Sequence, residues 1–162
     1  MTPALDVRIA SPRDAGDIAA MSRVLIEHGL PWTWRPARVA QAVAATDTNV
    51  VVVREQEGLV AFGIMNCLDE DAHLVLFAVR RHSQRQGIGS ALLAWLEASA
   101  FVAGAQRIRV EARRDNAGAR SFYNEHGYHE LVIKSRMYSG AVDGICLEKC
   151  LCQSASPQFR RA

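Results

Sequence analysis

Leu74-Val75-Leu76-Phe77-Ala78-Val79-Arg80-Arg81-His82-Ser83-Gln84-Arg85-Gln86-Gly87-Ile88-Gly89-Ser90-Ala91-Leu92-Leu93 reads as strand, polar loop, glycine turn and helix. The run from Leu74 to Val79 is apolar without alternation, so both faces of that strand are expected to be covered. Leu92, Leu93, Leu96 and Ala100 then recur at helical spacing. Between them, Gly87 and Gly89 let the main chain come close to a ligand. The first N–H groups of the helix have no partner within it, and the positive end of its dipole lies behind them. Such a turn suits a phosphate, and Arg85 adds a full charge beside it. A Walker loop would need Lys-Ser or Lys-Thr after Gly89, and a dinucleotide fingerprint would need glycine where Leu92 stands. On this stretch alone, a phosphate cradle and an ordinary tight turn explain the glycines equally well.

A second stretch changes the balance. Asn116-Ala117-Gly118-Ala119-Arg120-Ser121-Phe122-Tyr123-Asn124-Glu125-His126-Gly127-Tyr128 follows a strand that reaches Glu111. Gln84, Gly87 and Gly89 match the first motif of the GNAT superfamily of acetyl-CoA-dependent N-acetyltransferases, Gln/Arg-x-x-Gly-x-Gly/Ala. Asn116, Ala119, Phe122, Tyr123, Gly127 and Tyr128 match its second, Asn-x-x-Ala-x-x-Phe/Leu-Tyr-x-x-x-Gly-Phe/Tyr. With both motifs in order, the chain resembles that superfamily over residues 5–150, and its ribosomal-protein alanine N-acetyltransferases most.

Composition sets wide bounds. A chain of 162 residues is expected to form one domain, here residues 1–153, with a polar tail at 154–162 that frays. Hydrophobic residues make up 49% and charged residues 22%, as in an ordinary globular protein. A net charge of +2 gives no case for nucleic-acid binding. No apolar run is long enough for a signal or membrane segment, so a cytoplasmic protein with no membrane partner is expected. Cys67 and Cys146 fall in strands and read as small core residues, and Cys150-Leu151-Cys152 has no second pair nearby. His73, His82, His126 and His129 read as surface or turn residues, and no metal is implied.

In chain order, Val7 to Ala10 reads as a strand, and Ser11, Pro12 and Asp14 as a helix start. Ile18, Met21, Ser22 and Leu25 mark one face of that helix, and Gly29 stops it. A second helix is expected over 37–45. Residues 49–54 and 59–68 form a hairpin around Glu55-Gln56-Glu57-Gly58. After the central strand, a helix runs from Gly87 to about Ala103, and Arg107 to Ala112 form a strand. A helix over 116–126 and strands over 130–137 and 144–149 complete an α/β (α+β) domain around one sheet. The resemblance implies a single GNAT-like domain. Its mixed central sheet is splayed between the central strand and Ile108–Glu111, and about four helices flank it.

The resemblance also implies the chemistry. Acetyl-CoA would place its pyrophosphate on Gln84, Arg85, Gln86, Gly87, Ile88, Gly89 and Ser90. Its pantetheine amides would pair with the backbone of Phe77, Ala78 and Val79 like an added strand. Asn116 and Tyr123 stand seven residues apart, almost in line on one helix face, so one can hold the cofactor arm while the other reaches its sulfur. Transfer to an amine moves two protons. Tyr123 is the candidate acid, since a phenol with an ordinary pKa of about 10 is protonated at neutral pH. Glu111 is the candidate base, because the resembled subfamily has a glutamate five residues before the motif asparagine. Its alternative is a strand carboxylate paired with Arg109 or Arg113.

Trp32 and Trp34 either seal the gap between helices or line the acceptor site, and Tyr138 is a third candidate for the acceptor. Met137 stands where the subfamily has the first tyrosine of a Tyr-Tyr pair. Asp69-Glu70-Asp71 is a solvated acidic turn or a lure for a cationic amine. The expected acceptor is a peptide or protein N-terminal amine, with a small amine (polyamine, amino acid, antibiotic) as the alternative. The resemblance allows a homodimer. A non-catalytic acyl-CoA-binding module is the reading from another class, and it has no need of Tyr123 and Glu111.

Overall fold

The computed structural model describes residues 5–138 and 142–151, so the expected tail at 154–162 lies outside the described residues. Among these residues seven strands form one sheet: β1 (Val7–Ile9), β2 (Thr48–Glu55), β3 (Gly58–Leu68), β4 (Asp71–Val79), β5 (Arg107–Arg113), β6 (His129–Tyr138) and β7 (Val142–Cys150). Their order across the sheet is β1-β2-β3-β4-β5-β7-β6. The β4–β5 pair is parallel and the others are antiparallel. Among the described residues four α-helices flank the sheet: α1 (Ala15–Leu25), α2 (Pro36–Ala44), α3 (Ile88–Val102) and α4 (Ala117–Glu125).

The valine run in β2 shows why this sheet is covered twice. Val51 and Val53 pack into a core with Leu92, Leu93 and Leu96 of α3, while Val50 and Val52 pack into a core with Ile18, Ala19 and Val39 of α1 and α2. Alternate side chains point to opposite faces. A strand buried on both faces therefore has no polar side to display, which explains four consecutive valines.

β4 departs from this regularity. Its register runs Ile64↔Leu76 and then Met65↔Leu74, so Val75 is an extra residue, a β-bulge. The bulge reverses the phase of the strand. Ala72 and Leu74 join the α3 core, whereas Leu76 and Ala78 join the α1/α2 core. The unbroken apolar run in the sequence thus records a switch of face as well as cover on both sides.

The bulge marks the parting of the sheet. β4 and β5 pair only from Asp71↔Arg107 to Leu74↔Val110, yet β4 continues to Val79 and β5 to Arg113. The expected splay is present, with a main-chain edge of Val75–Val79 on one side and of Glu111–Arg113 on the other.

The start of α1 follows from its sequence. The Ser11 N–H donates to the Asp14 carboxylate at 2.8 Å, within a 3-10 turn over Pro12–Asp14 that leads into the helix. Asp14 is buried and also takes Arg54 Nη2 at 2.6 Å. Burial works to raise its pKa, but the Ser11 N–H and the Arg54 guanidinium outweigh that and hold it below the usual carboxylate value.

Candidate active site

The glycine turn is built as its residues require. Gly87 caps α3 at φ 84° and Arg85 takes φ 61°, so the chain passes through the left-handed region twice before the helix begins. Ala91 N–H is the first to bond back along the helix, to the Gly87 carbonyl at 3.0 Å. The N–H groups of Ile88, Gly89 and Ser90 precede it and have no partner within the helix. A Cβ at Gly89 would stand 3.3 Å from the Phe122 ring and 3.5 Å from Val79 Cγ2, a tight approach to α4 and β4 that a larger residue would meet only if the Phe122 ring gave way slightly. Gln84 turns back from the turn, and its Nε2 donates to the Val79 carbonyl at 2.9 Å, which fixes the loop to the end of β4. Gln86 donates to the His82 carbonyl at 3.2 Å.

Asn116 is the N-cap of α4. Its Oδ1 accepts the Ala119 N–H at 3.1 Å, which accounts for an asparagine three residues before the motif alanine. It therefore sits at the start of the helix instead of within it, and its Oδ1 is committed to the cap. One helical segment on, Tyr123 is buried in the α3 core. Its ring lies 5.4 Å from Phe122, 5.5 Å from Tyr128 and 6.3 Å from Phe77 between centroids. Phe77 projects from the unpaired half of β4, so Tyr123 adjoins the splay. The other motif tyrosine is accounted for differently: Tyr128 O–H donates to Glu97 Oε2 at 3.4 Å, and burial pushes its phenol well above the ordinary value.

His126, expected to be a surface or turn residue, lies in the turn that ends α4 and joins the two motifs. Its Nδ1 donates to the Phe122 carbonyl at 2.7 Å, and its Nε2 meets Ser90 Oγ at 2.9 Å. A carbonyl only accepts, so Nδ1 carries the proton. Sequence spacing gave no signal for this contact, which closes between helices 36 residues apart in the chain.

Glu111 lies on the other face of the sheet. Val110 and Ala112 belong to the α3 core, so Arg109, Glu111 and Arg113 between and beside them point away from it. The Lys134 ammonium donates to Glu111 Oε1 at 2.9 Å, and His73 Nε2 stands 3.9 Å from Oε2. The partner of Glu111 is thus Lys134, and neither of the two arginines offered by the sequence. Arg109 pairs with Glu148 at 2.8 Å, while Arg113 donates to the carbonyls of Ile26 and His28 at 2.8 and 2.6 Å. Glu111, Lys134, His73, Arg109, Asp71 and Cys146 share a cavity of about 430 Å³. Asp71 in it is paired with Arg107, so that carboxylate of the acidic turn is neutralised. Burial pushes the Cys146 thiol above its ordinary pKa, which suits a packing residue.

The two tryptophans close the gap between α1 and α2. Trp32 donates its indole N–H to the Ala19 carbonyl at 3.2 Å, and both rings pack against the α1/α2 core. Arg23 and Arg35 lie over the Trp32 ring and Arg38 lies 3.9 Å over that of Trp34. Glu27, which the sequence did not single out, organises their loop. Its Oε1 accepts from the Thr33 N–H, the Thr33 hydroxyl and the Trp34 N–H at 2.8, 2.7 and 3.2 Å, and its Oε2 from Ser22 at 3.0 Å. Tyr138 ends β6, pairing with Val142, and its side chain lies outside the described residues. Among the described residues no group of three or more His, Cys, Asp or Glu is arranged to hold a metal, and no helix is long and apolar enough to cross a membrane.

The model of the acetyltransferase (GNAT) family matches residues 20–128, which span both motifs and the splay. The chain belongs to the GNAT family. It is 33% identical over 103 residues to an uncharacterized N-acetyltransferase of Methanocaldococcus jannaschii, covering 62% of this chain and 66% of that one. It is 30% identical over 118 residues to the ribosomal protein bS18-alanine N-acetyltransferase of Escherichia coli K12, covering 72% of this chain and 76% of that one. The crystal structure of the Escherichia coli ribosomal-protein-S18-alanine N-acetyltransferase superposes with a TM-score of 0.74 at 25% identity, covering 91% of this chain and 94% of the other. The GNAT domain makes this chain an acyltransferase, and the splay, the glycine turn and the Asn116 cap are where its two motifs put them.

Proposed function

We propose that this GNAT enzyme transfers an acetyl group from acetyl-CoA to a primary amine, preferably the N-terminal amine of a peptide or protein, by direct attack in a ternary complex. The observation that carries this reading is the placement of Tyr123 and Glu111 on opposite faces of the sheet at the point where β4 and β5 part. The free edge of β4 at Phe77, Ala78 and Val79 offers its amides to the pantetheine arm. The turn from Arg85 to Ser90 offers N–H groups and a guanidinium to the pyrophosphate. A thioester in the splay then has Tyr123 on one side, to protonate the departing thiolate. On the other it has the open face where Glu111 assists deprotonation of the acceptor.

The acceptor preference is supported by two features. The relative at 30% identity carries the name of an alanine N-acetyltransferase acting on a ribosomal protein. Beyond that, Asp71, Glu111 and Glu148 in the open face are each already paired with a base. Among the described residues of that face a polyamine is offered no unpaired carboxylate for its additional charges. The test is thiol release at saturating acetyl-CoA from Ala- and Ser-starting hexapeptides, spermidine and free amino acids. The peptides are expected to give the highest kcat/KM. A preference for spermidine or another small amine moves the enzyme to the small-molecule class.

A further inference from the structure

The open face of the sheet carries a histidine that the motifs do not involve. His73 stands on β4 opposite Arg109 of β5, two residues before the bulge. Ala72 and Leu74 on either side of it are buried in the α3 core, so the imidazole projects into the cavity that holds Glu111. Its side chain is 45% exposed, and its Nε2 is 3.9 Å from Glu111 Oε2. The other carboxylate oxygen of Glu111 is bonded to Lys134.

We propose that His73 is the group that takes the acceptor's proton, with Glu111 facing it as the carboxylate that steadies the imidazolium. This rests on the reading of Glu111 above and deepens it. Lys134 already occupies Glu111 Oε1 at 2.9 Å, which leaves Oε2 turned toward the imidazole. An imidazole changes charge in the physiological range, which suits general-base work near neutral pH. The remaining groups facing His73 offset one another. On β5, Arg109 is tied to Glu148 of β7 and Arg107 to Asp71 of β4; on β6, Lys134 is tied to Glu111. Asn66, its partner across β3, is neutral, and the Cys146 thiol on β7 is held protonated by burial.

The step balances as follows. The acceptor arrives as an ammonium, and one N–H bond breaks with its electron pair left on nitrogen and its proton on His73. The amine attacks the acetyl carbon, and the C–S bond breaks with its pair on sulfur. Sulfur takes the phenolic proton of Tyr123, the nitrogen's second surplus proton restores that phenol, and His73 returns its own to solvent.

The experiment is the pH dependence of kcat/KM for an Ala-starting hexapeptide at saturating acetyl-CoA, in the wild type, His73→Gln and Glu111→Gln. In the wild type kcat/KM should rise with pH and level off. His73→Gln should lose about 10- to 100-fold at neutral pH. Its curve should rejoin the wild type well above pH 8, where the peptide's own amine, with an ordinary pKa of about 8, arrives already neutral. A purely structural defect would persist there. A His73→Gln curve matching the wild type, beside a Glu111→Gln variant that loses the limb, overturns the role of His73 and leaves that of Glu111 standing. Two unchanged curves overturn both. A peptide that is not acetylated at any pH overturns this inference and the acceptor reading together.

Discussion

Tyr123→Phe lowers kcat about 100-fold and leaves acetyl-CoA affinity unchanged. The expectation follows from where the ring sits. Phenylalanine keeps every packing contact with Phe77, Phe122 and Tyr128 that holds α4 against the sheet. It loses the O–H assigned to protonation of coenzyme A sulfur. The glycine turn and the β4 edge, which bind the cofactor in this account, are untouched. The loss should therefore fall on kcat, since an interaction made as the C–S bond breaks does not contribute to ground-state binding. Stopped-flow thiol release with parallel calorimetric titration of acetyl-CoA separates the two quantities. Full turnover in the variant removes the role given to Tyr123.

The second large effect is on stability. Glu27→Ala should cost about 3 kcal/mol at neutral pH, read from denaturant unfolding. Glu27 is a buried carboxylate accepting four hydrogen bonds, and its removal leaves the Thr33 and Trp34 N–H groups without their acceptor. Burial works to raise its pKa, but the bonds from Thr33, Trp34 and Ser22 prevail and hold it below the ordinary glutamate value. A carboxyl depressed in the folded state contributes fully above its unfolded pKa, and that contribution fades as the pH falls through the folded one. The gap between wild type and variant should accordingly narrow below about pH 4. A gap that stays constant into acid would show that the carboxylate charge does not hold the loop.

The architecture was legible because it rests on local patterns. The valine run of β2, the glycine turn and the asparagine cap each reflect a constraint set within a few residues. Three glycine-turn features also have a local cause: left-handed backbone at Gly87, close approach at Gly89 and the free first N–H groups of α3. The bulge at Val75 left a trace in β4, an apolar run with no alternation, but that trace reads equally well as simple cover on both faces. What the sequence hid was made by pairs distant in the chain. Lys134 of β6 reaches Glu111 of β5 across β7, Arg113 reaches the carbonyls of Ile26 and His28, and His126 reaches Ser90. Local spacing cannot register such contacts, so the sequence offers Arg109 and Arg113 as the alternative partners of Glu111 and gives no sign of Lys134. The tryptophans show the opposite case: a hydrogen bond to Ala19 and packing on the α1/α2 core give Trp32 a structural role that the sequence had allowed.

Acetyl transfer itself is tested most directly by incubating the enzyme with acetyl-CoA and an Ala-starting hexapeptide, then following free thiol and acetylated peptide in the same sample. The account predicts that the two appear one for one, with the acetyl group on the N-terminal amine and no release when the peptide is omitted. Thiol release independent of the peptide, or tight acetyl-CoA binding with no product from any amine of the panel, would contradict it.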